Sequence, residues 1–117
     1  MSRQYIAAGA MVDSFNAGES FKNYKKQIGK MEYLLASETL KYSSVLDVIL
    51  GNCSMVKKSK GQKDENTLDV NDGVMRVMIY DLLFGLGKIS GGGAVKRKIM
   101  GKNNTRFFRK LIFSYFL

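Results

Sequence analysis

The segment from Val74 to Phe84 constrains the fold more than any other, since only Arg76 and Asp81 interrupt its apolar residues. An α-helix that is apolar on most sides has to be covered on most sides, which places it at the centre of a helical bundle. The chain also contains no proline and lacks the regularly spaced turn signals of a β-sheet protein. We therefore predict an all-α fold built around this segment.

The other helices are predicted from apolar residues that recur every three or four positions. A first helix covers about residues 3–16, and Gly18 ends it, as glycine often does after the last helical turn. Ser43 or Ser44 is the expected N-cap of another helix. The full prediction is a compact bundle of about six helices, at about 3–16, 30–42, 44–50, 70 or 72 to 84, 94–100 and 104–117, with a short additional helix near 20–28.

The length of 117 residues is typical of one domain, so we predict a single helical domain over residues 1–117. Residues 57–67 have no apolar side chain and densely mixed charges, and we expect them to form an exposed loop. Cys53 is the only cysteine, which excludes a disulfide within the chain and indicates a reducing, intracellular compartment. No apolar run approaches the ~18 residues of a membrane helix, so no membrane partner is expected.

Residues that carry catalytic or metal-binding chemistry are scarce. The chain has no histidine, and one cysteine with scattered carboxylates makes neither a zinc nor a calcium site. We expect no metal, no cofactor and no catalytic residue here, and we expect Cys53 to be structural. The glycine-rich turn does not match a nucleotide loop, because Ile89 follows Lys88 where a Ser or Thr would bind magnesium. Residues 91–93 either attract phosphate through their N–H groups or serve as a plain connection between helices.

Positive charge is concentrated in the last third of the chain. The net charge is +9, yet residues 1–81 hold 11 Lys or Arg against 10 Asp or Glu, whereas residues 82–117 hold eight basic residues and no acidic one. A solvent-exposed surface usually carries both positive and negative residues. A region with only positive residues therefore favours the binding of an anionic partner over a basic surface that serves only solubility. The phosphates of an RNA backbone are the obvious anionic ligand, and the candidate residues for binding RNA are Lys88, Lys96, Arg97, Lys98, Lys102, Arg106, Arg109 and Lys110.

Several short blocks occur in an order that resembles a known family. The blocks are Glu38-Thr39, Tyr42-Ser43, Val45-Leu46-Asp47, Tyr80-Asp81-Leu82-Leu83 and the glycine cluster before a basic helix. Their order and spacing resemble the N-terminal domain of Sun-family RNA (cytosine-5) methyltransferases, in the eukaryotic branch that acts on large-subunit ribosomal RNA. The resemblance covers about residues 3–112, although residues 57–67 make a longer connection than is usual in the family.

The resemblance implies an all-helical domain similar to the antitermination-factor-like RNA-binding domains. It also implies a parent enzyme with a separate methyltransferase domain, which would hold S-adenosylmethionine and two catalytic cysteines. None of that is expected in this chain, and Cys53 lies outside any matching motif. The chain ends inside an apolar run, residues 111–117, which suggests a truncated sequence. A parent of this kind would work in the nucleus, within the nucleolus.

Two functional hypotheses remain open. In the first, the domain positions its parent enzyme on ribosomal RNA through phosphate contacts, which give affinity and position. In the second, it is a protein-interaction or intramolecular docking module with no direct RNA contact, in which the terminal helix packs on the missing methyltransferase domain or on a partner. The apolar residues of that docking patch would be Phe113, Tyr115, Phe116 and Leu117.

Two further aromatic residues, Phe107 and Phe108, lie among the basic residues of the last helix. Aromatic rings in a basic region can stack on unpaired bases. Their helical spacing with Leu111 and Ile112 favours packing in the core instead. We therefore expect both rings to be core residues.

Overall fold

The computed structural model describes residues 3–19, 29–51, 71–90, 94–99 and 102–116, and within these ranges the chain is all-α, as predicted. Six helices are present there, close to the predicted number. The radius of gyration of 13.8 Å is close to the ~13 Å expected of a compact domain of this length. The helices are α1 (Arg3–Asn16), α2 (Lys30–Lys41), α3 (Ser43–Gly51), α4 (Asp72–Leu83), α5 (Ala94–Ile99) and α6 (Lys102–Phe116). The predictions for residues 20–28, Cys53, 57–67 and 91–93 fall outside the described residues.

The end of α1 confirms the role predicted for Gly18. Its φ of 94° is left-handed, which costs glycine little and other residues more. The Gly18 N–H donates to the carbonyl of Phe15, and the Glu19 N–H donates to that of Ser14. These two bonds form a Schellman motif, which satisfies carbonyl groups that a helix end leaves without partners.

The N-cap of α3 is Tyr42, so the prediction of Ser43 or Ser44 was wrong by one or two residues. The N–H of Leu46 already donates to the carbonyl of Tyr42 at 2.9 Å, so Tyr42 accepts the first bond of α3 and both serines lie inside the helix. Tyr42 also ends α2, and its ring stacks on Phe84 with centroids 4.5 Å apart. The junction between α2 and α3 is therefore the single residue Tyr42, with no separate serine cap.

Helix α4 lies at the centre of the bundle, as its apolar composition predicts. Nine of its residues are buried, including Gly73 at its start and Leu82 near its end. Helix α1 crosses α4 where Gly9 meets Gly73. A Cβ on Gly9 would stand 2.6 Å from the Val74 nitrogen, and one on Gly73 would collide with the Gly9 carbonyl. The two backbones therefore approach each other directly, which only glycine at both positions allows.

The start of α4 is capped by a side chain from α1. The Gly73 N–H donates to Asp13 Oδ1 at 2.8 Å, whereas Asn71, at the N-cap position, makes no side-chain cap bond. A carboxylate beside free N–H groups also meets the positive end of the helix dipole. Burial raises the pKa of Asp13, and the hydrogen bond from Gly73 opposes that rise without cancelling it.

Arg76 is one of the two charged residues that interrupt the apolar run of α4. Its side chain forms salt bridges with two acidic residues. Its guanidinium lies 2.7 Å from Asp72 one turn earlier and 2.7 Å from Asp47 on α3. Burial alone would lower the pKa of Arg76, but the hydrogen bonds to the two carboxylates raise it overall. The bridge ties α3 to α4, so a charge that interrupts the apolar pattern still serves the packing.

Candidate nucleic-acid interface

The basic residues of the last third occupy the turn after α4 and the two terminal helices. Lys88 lies in the turn, Lys96 and Arg97 lie on α5, and Arg106, Arg109 and Lys110 lie on α6. Lys96 is half-buried, and the other five of these residues are exposed. Lys98 and Lys102 belong to α5 and α6, but their side chains fall outside the part of the structure that is described.

Helix α6 carries its described basic residues on the side opposite its buried apolar stripe. Phe108 is fully buried, and Leu111 and Ile112 pack against the core beside it. A rotation of about 100° per residue places Arg106, Arg109 and Lys110 within an arc of about 100° on the side away from Phe108. The sequence of α6 contains no acidic residue. We call this exposed side, with Arg106, Arg109, Lys110 and Phe113, the α6 face.

The two neighbouring phenylalanines of α6 have different surroundings. Phe108 is 0% exposed, which confirms the prediction that it packs in the core. Phe107 is 37% exposed, so the prediction was wrong for this ring, which lies at the edge of the apolar stripe. Phe107, Lys110, Leu111 and Ser114 line a shallow depression of about 380 Å³. One residue of separation rotates a side chain by about 100°, which is enough to move it from the core to the rim.

The turn that carries Lys88 is held by a buried hydrogen-bonded network. Asp81, only 5% exposed, accepts a bond from the Tyr5 hydroxyl at 2.6 Å and one from the Leu86 N–H at 3.1 Å. The Ser90 N–H in turn donates to the Tyr5 hydroxyl oxygen at 2.7 Å. The turn is thus attached to α1 and α4 at both ends. Burial and the bond to Asp81 raise the pKa of Tyr5, so its hydroxyl keeps its proton at neutral pH.

The sequence patterns did not predict this network, since they mark Asp81 only as an interruption of an apolar helix and as part of a family-like block. The signal was present, because a lone carboxylate in a central helix must find hydrogen-bond donors when it is buried. Gly87 adds a second constraint on the turn, with a φ of 82° that glycine adopts without strain. The network therefore positions the start of the basic third relative to the core.

Metal-ligand clusters and membrane-spanning helices are both absent from the part of the chain that the structure describes. Within those ranges, no three His, Cys, Asp or Glu side chains gather as metal ligands would. No helix in the same ranges combines the length and apolar character needed to cross a bilayer.

Together, the fold and the α6 face define a helical domain with exposed cations on a helix whose sequence contains no acidic residue. The sequence profile of the NOL1/NOP2/Sun domain family member 5 N-terminal domain matches residues 30–111. This chain therefore belongs to that family of N-terminal domains, as the resemblance of its sequence blocks predicted.

A curated relative supports the same assignment. A 28S rRNA (cytosine-C(5))-methyltransferase of Mus musculus is 29% identical over 110 residues, which cover 94% of this chain. The match covers 20% of that relative, so the chain spans about a fifth of its length. No solved structure matches this chain significantly.

Several of the family-like blocks lie at helix contacts. Tyr42 and Tyr80 approach each other with ring centroids 5.5 Å apart, Asp47 bridges to Arg76, and Asp81 organises the turn. Thr39, 1% exposed, donates its hydroxyl to the carbonyl of Leu35. The resemblance in these blocks therefore follows the packing of α2, α3 and α4.

Proposed function

We propose that this domain binds large-subunit ribosomal RNA and positions a longer cytosine-5 methyltransferase on it, without taking part in catalysis itself. The cofactor S-adenosylmethionine and the catalytic cysteines belong to the remainder of that enzyme, which acts in the nucleolus. The observation that carries the proposal is the α6 face, where exposed cations gather on one side of a helix with no acid in residues 82–117. RNA phosphates are the polyanion that such a surface attracts.

The contacts proposed are with phosphates and are independent of sequence. Lys88 in the turn, the basic run of α5 and the α6 face supply point charges and guanidinium groups, which give affinity and orientation. The buried network of Tyr5 and Asp81 keeps the turn with Lys88 in a fixed place relative to the core. A rigid core that presents cations in a fixed arrangement lowers the entropy lost when the parent enzyme docks.

A salt titration of the 117-residue chain on a fragment of large-subunit ribosomal RNA tests the proposal. Log affinity should fall linearly with log salt, by about 0.7 to 0.9 for each phosphate contact. A triple variant of α5 combines Lys96→Glu, Arg97→Glu and Lys98→Glu. This variant should bind RNA far more weakly. Its plot of log affinity against log salt should also be less steep by about 2 to 3, because up to three phosphate contacts are removed.

A matched control reverses three exposed charges on α1 and α2, Arg3→Glu, Lys30→Glu and Lys41→Glu, with the same change in net charge. The proposal requires this control to keep most of its affinity. Equal losses in the two triple variants would show that only net charge matters. Unchanged affinity in the α5 variant would remove these residues from the interface.

The alternative, a docking module for protein, is favoured by one observation. Phe113 is 69% exposed on α6, whereas the other residues of the expected patch have side chains outside the described part. Sedimentation of the chain alone and with RNA separates the two functions. Self-association through α6 together with no RNA binding at low salt would support the protein module.

A further inference from the structure

The most exposed large aromatic ring of the described residues stands in the middle of the cations of α6. Phe113, 69% exposed, follows Arg109 by four residues and Lys110 by three, and residues at these spacings are neighbours on a helix surface. Arg106 lies seven residues earlier, two turns along the same side. By helix rotation, Phe113 is therefore near the centre of the α6 face and points away from the buried Phe108.

An exposed ring among cations offers two kinds of contact to one ligand. A nucleobase can stack on the ring of Phe113, while the phosphates on either side of that base meet the charges of Arg109 and Lys110. Stacking of this kind accepts any base, because every base has a π face. A regular duplex keeps its bases stacked on one another and presents only backbone and groove edges. The ring is therefore useful only against unpaired nucleotides.

A protein ligand fits this ring less well. The cores of protein interfaces are depleted in lysine, and burying Arg109 and Lys110 around an apolar anchor requires acidic partners for both. Phe15 provides a contrast, since it is 50% exposed on α1 but its helical neighbours three and four positions earlier are the uncharged, buried Val12 and Met11, and the residue four positions later is the acidic Glu19. Exposure alone therefore does not mark a ligand surface, whereas exposure at the centre of a cationic face indicates a ligand with both charge and π faces.

We propose that Phe113 stacks on an unpaired base and that the α6 face takes single-stranded segments of RNA in preference to duplex. This inference rests on the proposed RNA binding and adds to it the structural class of RNA that is bound. Phe107, at the rim of the neighbouring depression, lies on the adjoining side of the helix and is not needed for the stack.

Tryptophan fluorescence gives a direct test, because the chain contains no tryptophan. The variant Phe113→Trp then has a single reporter, and Phe15→Trp is its matched control on α1. A single-stranded adenylate oligonucleotide of about 12 nucleotides should quench the emission of Phe113→Trp and leave that of Phe15→Trp unchanged. The same oligonucleotide paired in a duplex should quench neither reporter.

Affinity measurements complete the test. Phe113→Ala should bind the single strand about 5- to 100-fold more weakly, which corresponds to the loss of one base–aromatic stack, with an unchanged salt slope. Its duplex affinity should not change, and neither should either affinity of Phe15→Ala. Circular dichroism and thermal melting should show that Phe113→Ala folds like the parent chain, as its exposed ring predicts.

The failures of the two proposals can be told apart. If Phe113→Ala keeps its affinity while binding stays salt-dependent, phosphate binding stands and base stacking is wrong. If Phe113→Ala weakens single-strand and duplex binding equally, the ring does not distinguish unpaired bases and the inference is also wrong. If no RNA binds even at low salt, both proposals fall. Emission of Phe113→Trp that shifts with protein concentration alone would place a second copy of the chain on the ring, which would overturn the stacking proposal.

Discussion

The crossing of α1 and α4 and the α6 face use charged residues in opposite ways. At the crossing and along the rest of α4, Asp13 of α1 binds the start of α4, Arg76 bridges to one acid on α3 and one on α4, and Asp81 is buried with its hydrogen-bond donors around it. On the α6 face, Arg106, Arg109 and Lys110 are exposed, and no acid occurs in that part of the sequence. Charges of the first kind hold the fold together, and those of the second kind are available to a ligand.

The comparison predicts that substitutions at the crossing change stability, whereas substitutions on the α6 face change binding. Single substitutions with large effects on stability act through the core, through buried polar groups or through caps, and exposed positions usually change it little. Chemical denaturation of each variant gives its free energy of unfolding, and these values compare the effect of substitutions in the two regions. The expected effects follow in decreasing order.

Gly73→Ala should have the largest effect, a loss of about 2 to 3 kcal/mol. Its Cβ would overlap the Gly9 carbonyl and the carboxyl group of Asp13, so α1 and α4 would have to move apart. Gly51→Ala is the matched control, because a Cβ there meets nothing and alanine favours a helix by up to about 1 kcal/mol. Equal stability of the two variants would show that the crossing is looser than the close approach of the backbones implies.

Tyr5→Phe should cost about 2 kcal/mol, because it leaves a buried carboxylate and a backbone N–H each without one hydrogen bond. The hydroxyl of Tyr5 links Asp81 to Ser90, so amide hydrogen exchange at Ser90 should also become faster. Tyr42→Phe removes the same hydroxyl group at a half-buried position, keeps the ring that stacks on Phe84, and serves as the control. A neutral Tyr5→Phe would mean that water replaces the hydroxyl without loss.

Asp13→Ala should cost about 1 kcal/mol, since it removes the cap of α4. Asp13→Asn keeps an oxygen that can accept the Gly73 N–H, so it should recover most of that stability at neutral pH. Full stability of the alanine variant would show that the start of α4 needs no cap from α1.

The pH dependence of the asparagine variant has a definite sign. Burial raises the pKa of Asp13, so the folded state holds its proton more tightly than the unfolded state does. Stability from this group is present in full below the unfolded pKa of about 3.9 and is lost as pH rises through the higher folded pKa. The parent chain should therefore gain stability relative to Asp13→Asn as the pH falls through this range. A constant difference between the two would contradict the raised pKa.

Reversal of the three cations of the α6 face, Arg106→Glu with Arg109→Glu and Lys110→Glu, should change stability least, by less than about 0.5 kcal/mol. The same variant should lose RNA binding, which separates the two regions most sharply. A large loss of stability would mean that these residues also support the packing of α6. Binding would then have to be measured well below the melting temperature, so that a loss of affinity is not caused by unfolding.

Much of the fold could be predicted because it rests on local rules. The apolar run of α4, the end of α1 at Gly18 and the spacing in α6 each predict a feature that the structure contains. The candidate site was predictable only as a list of basic residues, since charge is visible in a sequence whereas the side on which it gathers is not. Phe107 and Phe108 show this. They are neighbours of the same residue type, yet one is exposed and the other is buried, because their side chains point about 100° apart around the helix.

The sequence by itself determined the all-α class, the central helix and the acid-free last third, because helical periodicity and charge are properties of neighbouring residues. Only the tertiary structure decided that Gly9 meets Gly73, that Asp13 caps α4 from another helix, and that Tyr5 joins Asp81 to Ser90. These contacts join residues far apart in the chain, between 60 and 85 positions for the hydrogen bonds. Their partners are chosen by how the helices pack, which no local pattern records.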